Sequence, residues 1–366
     1  MIYYFFSDNL RLILTLGMSV FITLVLIHSI VDIARAKSLV ATPNVRTSHT
    51  SNTPNLGGIA IFIGFMISCL IFLNSQTFFK FQYLVVGCLI IFFIGFKDDI
   101  IGITPYRKFL GQVIAALLVM EFGDLFFTSL HGLFNIYGIS RNFGLVLALI
   151  TIIGITNCYN LMDGIDGLAA GLGILSSVVF GIWFYLNGDI EWAVLAAGLA
   201  GSLIAFFYFN MFGKRNKIFM GDTGALILGF VISLITIHFN ELSIMTKNRF
   251  DMHAAPAVSF GILIVPVFDA LRVMITRIIN NKPPFYPDRT HIHHYLLDLG
   301  FSHLAATSIL LLVSLGFSAL SFAFRSLTVF WLLSILLPLA GLLSAIPISL
   351  VYYRDKKLKK SESLDN

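Results

Sequence analysis

The strongest constraint on this chain is the repetition of uninterrupted apolar runs, each about 20 residues long, the length an α-helix needs to cross a bilayer. Such runs centre near Val20, Phe65, Leu89, Ala116, Ala148, Val179, Ala200, Ile232, Ile264, Val313 and Leu336. They are continuous rather than alternating, so they read as helices and not as strands of a membrane barrel. Composition agrees: the 366 residues are 57% hydrophobic and 12% charged, against roughly 25% charged in soluble domains. The expected fold is all-α, a polytopic integral membrane bundle of about 11 transmembrane helices. No polar stretch is long enough to bury a core of its own, so residues 1–352 read as one membrane domain and 353–366 as a basic tail. The first run, from about Leu10 to Ile30, is too long for a signal sequence and lacks a clear cleavage site, so it reads as a retained span. Cys69, Cys88 and Cys158 lie in or beside apolar runs and form no CxxC, which points away from disulfides and zinc.

Orientation follows the lysines and arginines. Alternate connections, with the C-terminal tail, carry 18 of the chain's 24 basic residues. The rest are Arg11, Lys80, Arg141, Lys247, Arg249 and Arg325. This places the N-terminus outside and the C-terminus in the cytoplasm. The tail "YYRDKKLKKSESLDN" reads as an orientation anchor on anionic lipid, and no nucleic-acid partner is expected.

Five polar stretches are too specific for plain connectors: "TPNVRTSHTSNTPNLGG" (42–58), "FKDDIIGITPYRKFLGQ" (96–112), "NCYNLMDGIDGLAAG" (157–171), "KIFMGDTGALILG" (217–229) and "PFYPDRTHIHHYLLDLG" (284–300). All five fall on the cytoplasmic face, which argues for an active site there. Asp98 and Asp99 are adjacent, and neighbouring carboxylates repel unless a cation sits with them. Hard oxygen ligands of this kind suit Mg²⁺ or Mn²⁺. Asp163 and Asp166 are three apart and share a face if the segment opens a helix. Asn157 and Asn160 would extend that face, while Gly164 and Gly167 would let a ligand approach the backbone. An EF-hand is excluded by the missing third ligand and terminal Glu. Asp222 opens the eighth run, where it binds a ligand or simply caps the helix. Arg289, His291, His293 and His294 lack the HExxH spacing of zinc sites and suit phosphate oxygens through charge-assisted hydrogen bonds. Lys108, Arg46 and Arg277 would add positive charge.

Acids for a divalent cation, bases for phosphate, and amides and glycines for a sugar-bearing ligand together suggest phosphoryl transfer from a nucleotide-activated donor to an acceptor in the membrane. The rival class is a transporter, since ionisable groups in membranes often mark transport paths. Against it, Asp269 and Arg272 are the only convincing mid-span charges, and no inverted repeat is evident.

The five stretches, in this order over about residues 30 to 300, resemble the polyprenyl-phosphate N-acetylhexosamine-1-phosphate transferase family. The resemblance implies a multi-pass protein of the bacterial inner membrane with its active site on the cytoplasmic face. It implies that Asp98 and Asp99 serve metal binding and acceptor activation, and that Asn160, Asp163 and Asp166 contact the donor nucleotide and line the cleft. Asp222 is implied as a Mg²⁺ ligand, Asn210 and Phe219 as neighbours of the uracil, and His291, His293 and His294 as contacts to donor phosphate or sugar. "PDRTHIHH", in which Ile292 interrupts the histidines, looks like the GlcNAc-1-phosphate branch rather than the peptidoglycan branch. The implied donor is UDP-GlcNAc or a related UDP-N-acetylhexosamine, UDP-MurNAc-pentapeptide being the alternative, and the implied acceptor is undecaprenyl phosphate. Two mechanisms stay open: direct attack by the lipid phosphate with Asp98, rather than Asp99, as base, or a phospho-enzyme on an Asp. A homodimer is a further expectation from the resemblance.

Overall fold

The structure, a computed structural model, describes residues 7–36, 53–245, 252–283 and 289–362. The described chain is helical almost throughout. In order come α1 (Asp8–Ala36), α2 (Gly57–Phe72), α3 (Ser75–Ile101), α4 (Pro105–Phe122), β1 (Ser129–Leu133), β2 (Ile136–Gly138), α5 (Arg141–Met162), α6 (Leu168–Leu186), α7 (Ile190–Phe212), α8 (Gly221–Met245), α9 (Ala255–Ile262), α10 (Ile264–Ile279), α11 (Ile292–Asp298), α12 (His303–Ala323) and α13 (Val329–Glu362). The antiparallel β1–β2 hairpin is the departure from the all-α expectation, and it lies in the α4–α5 connection rather than in a span.

Among the described residues, seven single helices are long and apolar enough to cross a membrane, and an eighth crossing forms if α9 and α10 count as one broken span. The second, third and fourth expected spans are helical too: α2 has 16 residues, and α3 and α4 carry charges near their ends. The chain is thus an all-α, multi-pass membrane bundle. The ninth expected span, by contrast, is not straight. It breaks at Leu263 into α9 and α10, bent by 87°. Pro266 has no N–H to give the carbonyl of Ile262 one turn back. That carbonyl instead accepts from Ser314 Oγ of α12 at 3.3 Å. The break stays satisfied, as a lipid-embedded backbone requires.

The bundle is built around α8, of whose most apolar stretch 83% is buried, against 28% for α1 and 22% for α13 at the rim. Apolar side chains gain little by leaving lipid, so close packing relies on small and hydroxyl residues. In α1 the buried stripe Thr15, Ser19, Thr23 recurs every four residues. Ser19 Oγ donates to the Gly198 carbonyl on α7 at 2.7 Å, and Thr23 Oγ1 to the Ala60 carbonyl on α2 at 3.4 Å.

Candidate active site

The N-terminus of α8 organises one end of the bundle. Its first amides have no helical partner, and Asp99, from the last turn of α3, supplies one. Asp99 Oδ1 accepts from the Asp222 N–H at 2.8 Å. Its Oδ2 accepts from the Thr223 N–H at 2.9 Å and from Thr223 Oγ1 at 2.5 Å. Asn55 Nδ2 donates to Asp99 Oδ1 at 3.0 Å. Gly221 makes the approach possible: its φ is +71°, and a Cβ there would lie 2.7 Å from both Asp99 oxygens. The segment before α8 pairs with the chain before α2. The Phe219 N–H donates to the Pro54 carbonyl, while Gly57 and Gly58 donate to the Phe219 and Met220 carbonyls, all at 2.8–2.9 Å.

Because Asp99 caps α8 from another helix, Asp222 has no capping to do. Its Oδ1 accepts from Asn160 Nδ2 at 2.8 Å and meets the Lys108 ammonium. Lys108 Nζ also lies 3.2 Å from Asp98 Oδ2, and Asp98 Oδ1 accepts from the Ile103 N–H at 2.8 Å. Asp163, the residue closing α5, accepts from the Gly221 backbone. Its carboxyl is pushed well above the ordinary 3.8, first by burial and then by the charges of Asp222, Asp99 and Asp166. Asp98, Asp99, Asp163 and Asp222 therefore crowd one place with Lys108 as the cation between them. Like charges at such range oppose ionisation unless a cation is near.

The expectation that Asp163 and Asp166 share a helical face is not met. Both fall in the connection between α5 and α6, since the two Asp-Gly pairs turn the chain. Asp163 faces α8, whereas Asp166 faces away. Asp166 Oδ2 meets Lys217 Nζ at 2.7 Å and His303 Nδ1 at 3.1 Å, and its carbonyl accepts from Thr307 Oγ1 at 2.9 Å. Of the two glycines expected to leave room for a ligand, Gly167 is buried and Gly164 is exposed. Gly167 has φ +76° and lies against Met211 and Phe207, while Gly164 lies against His293.

Asn210 is buried and ties two loops together. Its Oδ1 accepts from the Gly167 N–H at 2.6 Å, and its Nδ2 donates to the Ile218 carbonyl at 2.9 Å. The ring of Phe219 lies 5.9 Å from Lys217 Nζ. Asn157 is turned to α4, where its Nδ2 donates to Gln112 Oε1 at 2.9 Å.

The histidine segment reaches the same loop from the other side. His291 and His293 lie with nearly parallel rings, centroids 5.7 Å apart, and His294 lies 4.2 Å from His293. His293 is fully buried, neither ring nitrogen has a hydrogen-bond partner among the described residues, and its Nε2 is 2.7 Å from where a Cβ on Gly164 would stand. Burial and then the neighbouring His294 push His293 down to about 3, and burial and then Arg289 push His294 down to about 4. Both imidazoles are neutral near pH 7. In this structure these two are thus neutral, and the cations beside the aspartates are Lys108 and Lys217. Arg289 is exposed and stands 4.0 Å from Asp298, and Arg277 is buried on α10. Arg46 lies outside the described residues.

Sequence reasoning singled out the acids but missed Asn55, Thr223, Lys217 and His303. All four are ordinary loop or helix-start residues whose partners come from distant chain.

Comparison with known proteins adds an independent line. The model of glycosyl transferase family 4 matches residues 81–240, which hold the five aspartates. A probable undecaprenyl-phosphate N-acetylglucosaminyl 1-phosphate transferase of Bacillus subtilis is 30% identical over 328 residues, covering 88% of this chain and 87% of the relative. A decaprenyl-phosphate N-acetylglucosaminephosphotransferase of Mycobacterium leprae is 31% identical over 296 residues, with 74% and 73% covered. An undecaprenyl-phosphate alpha-N-acetylglucosaminyl 1-phosphate transferase of Escherichia coli K12 is 28% identical over 274 residues, with 74% and 72% covered.

Proposed function

This chain belongs to glycosyl transferase family 4, and from that premise we propose that it moves N-acetylglucosamine 1-phosphate from UDP-GlcNAc onto undecaprenyl phosphate and releases UMP. The supporting observation is the gathering of Asp98, Asp163, Asp222, Asn160 and Lys108 at one end of a lipid-embedded bundle. A soluble nucleotide sugar and a lipid headgroup can meet only at such a boundary. The asymmetry of 18 basic residues among 24 supports a cytoplasmic site in a bacterial inner membrane.

In the reaction an oxygen of the lipid phosphate attacks the β-phosphorus of the donor. A new P–O bond forms as the bond to the UMP oxygen breaks. The attacking phosphate is already largely ionised near pH 7, so it needs no strong base. Asp98, ion-paired with Lys108, then serves better as a ligand or orienting group than as a base. Lys108 neutralises phosphate charge, and Asn160 holds Asp222 in place. Lys217, beside Phe219, offers a second cation to the donor.

The donor set suits Mg²⁺, which takes hard oxygen ligands and is commonly held by one or two carboxylates plus substrate phosphates and water. Among the described residues no three His, Cys, Asp or Glu side chains form a metal cage of their own. Asp222 and Asp98 are instead two carboxylates sharing a single ammonium, short of positive charge until a cation and the donor arrive. When bound, the ion would neutralise the diphosphate.

The test is purified protein with UDP-GlcNAc, undecaprenyl phosphate and Mg²⁺, read as UMP. Release that requires both the lipid and the metal is the expected result. Release without lipid would mean hydrolysis, and vesicle uptake without UMP would mean transport; either would overturn the proposal. A panel of UDP-sugars in the same assay fixes the donor.

A further inference from the structure

Asp269 has no role in the account above, yet both of its carboxylate oxygens are engaged by three residues. It is only 4% exposed and sits on α10, six residues past the break at Leu263. Its Oδ1 accepts from Arg272 Nη2 at 2.7 Å and from the Ile292 N–H at 3.1 Å. Its Oδ2 faces His291 Nδ1 at 2.8 Å. Arg272 Nη2 also donates to the Thr290 carbonyl at 2.6 Å. One turn of α10 thus grips three consecutive residues, 290 to 292, immediately before His293.

We propose that Asp269 is a positioning residue for the donor-binding histidine segment, fixing His291 by its Nδ1 and seating His293 against Gly164. An ionised carboxylate only accepts hydrogen bonds, so the Nδ1 of His291 carries the proton and Nε2 is the nitrogen left for a ligand. His291 stands at the N-cap of α11 with no side-chain bond to that helix. The first amide of α11 is satisfied by Asp269 instead. The start of α11 and the ring of His291 are therefore set by one side chain. His293 follows two residues later, its ring parallel to that of His291 within 8°. Gly164 lies on the Asp163 loop with no Cβ to hold His293 off. The chain of contacts runs from α10 through the histidines to the aspartates.

The inference rests on the reaction proposed above, because it takes the histidines as donor contacts. Its test compares wild type with Asp269→Asn, His291→Ala and the double variant. Asp269→Asn keeps the shape but offers an amide in place of a purely accepting carboxylate. Its KM for UDP-GlcNAc should rise about 10–100-fold, by analogy with the loss when the hydrogen-bond partner of a metal-ligating histidine is removed. The KM for undecaprenyl phosphate should hold, while the unfolding temperature should fall, because Arg272 loses its buried carboxylate. The double variant should fall well short of the product of the two single effects, since Asp269 acts in part through His291 and both act on the same segment. Hydrogen–deuterium exchange of residues 289–298 should quicken in Asp269→Asn whether or not the enzyme turns over. That arm separates the two ideas: an inactive wild type overturns the reaction, and unchanged exchange overturns the positioning role. Unchanged donor KM, or independent and multiplying effects in the double variant, would also overturn it. If Asp269→Asn does not fold, Arg272→Gln frees Thr290 while leaving the carboxylate, and should give a smaller rise in donor KM with the same quickened exchange.

Discussion

At the end of the bundle far from the site aspartates, Glu191 and Asp189 are also packed between helices, but both are matched. Arg11, 5% exposed, donates to the Phe72 carbonyl at 2.8 Å and to Glu191 Oε1 at 2.7 Å, and the other Glu191 oxygen accepts from the Asn74 N–H at 2.9 Å. Asp189 meets His238 Nε2 at 2.7 Å, and Trp192 stacks on that imidazole with centroids 4.0 Å apart. At the site end Asp98 and Asp222 share one Lys108, Asp163 has neighbouring carboxylates, and His293 has two nitrogens with no hydrogen-bond partner among the described residues. Burying a polar group is costly unless it is paired. The matched end uses its polar groups to join α1, α2, α7 and α8. The unmatched end carries a surplus of negative charge and idle donors that only a bound cation and phosphates would settle. Carboxylates in a membrane chain are therefore not one class, and the balance of charge around them separates structural from chemical ones.

This comparison breaks most sharply at Asp222. Asp222→Asn should lower kcat/KM by more than about 100-fold, beyond the range for residues that merely support a ligand, with unfolding temperature held because Asp99 still caps α8. UMP release and thermal unfolding read the two effects. At the matched end the pattern should reverse. Arg11→Ala leaves Glu191 buried without its cation, a loss of about 3–5 kcal/mol of stability. The kcat of the surviving folded enzyme should stay within about twofold, as for distant independent sites. A kinetic defect in Arg11→Ala with normal unfolding would contradict the division of labour.

How much of this was legible beforehand depended on the kind of signal. Acids between apolar runs are conspicuous, so Asp98, Asp163 and Asp222 stood out before any contact was known. What they do was less legible, because it is decided across the chain. Asp99 looked equivalent to Asp98 but is spent on α8, and its donors Asn55 and Thr223 are 44 and 124 residues away. The shared face given to Asp163 and Asp166 held only if the segment opened a helix. Its two Asp-Gly pairs were the signal of a turn instead. The broken ninth span was signalled by Pro266 but masked by the length of its apolar run. The hairpin at β1–β2 left only a faint trace, in His131, Gly132 and Asn135, residues that accept the positive φ it requires.

The subtlest test concerns Asp163, because stability and chemistry should pull in opposite directions there. Its carboxyl is held above the ordinary 3.8 by burial and then by Asp222, Asp99 and Asp166. The folded protein keeps a proton that the unfolded chain has already released. The stability tied to that proton is complete below the ordinary value and is lost as pH rises through the raised one. Asp163→Asn keeps the shape and removes the charge. Without divalent cations it should unfold at a higher temperature than wild type at about pH 8, and the gap should close toward about pH 4. Added Mg²⁺ should stabilise wild type more than the variant, since a ligand stabilises the state that binds it better. Thermal unfolding at both pH values, with and without the metal, reads all of this. A variant less stable than wild type throughout would make Asp163 a strut like Glu191, and the contrast between the two ends would no longer hold.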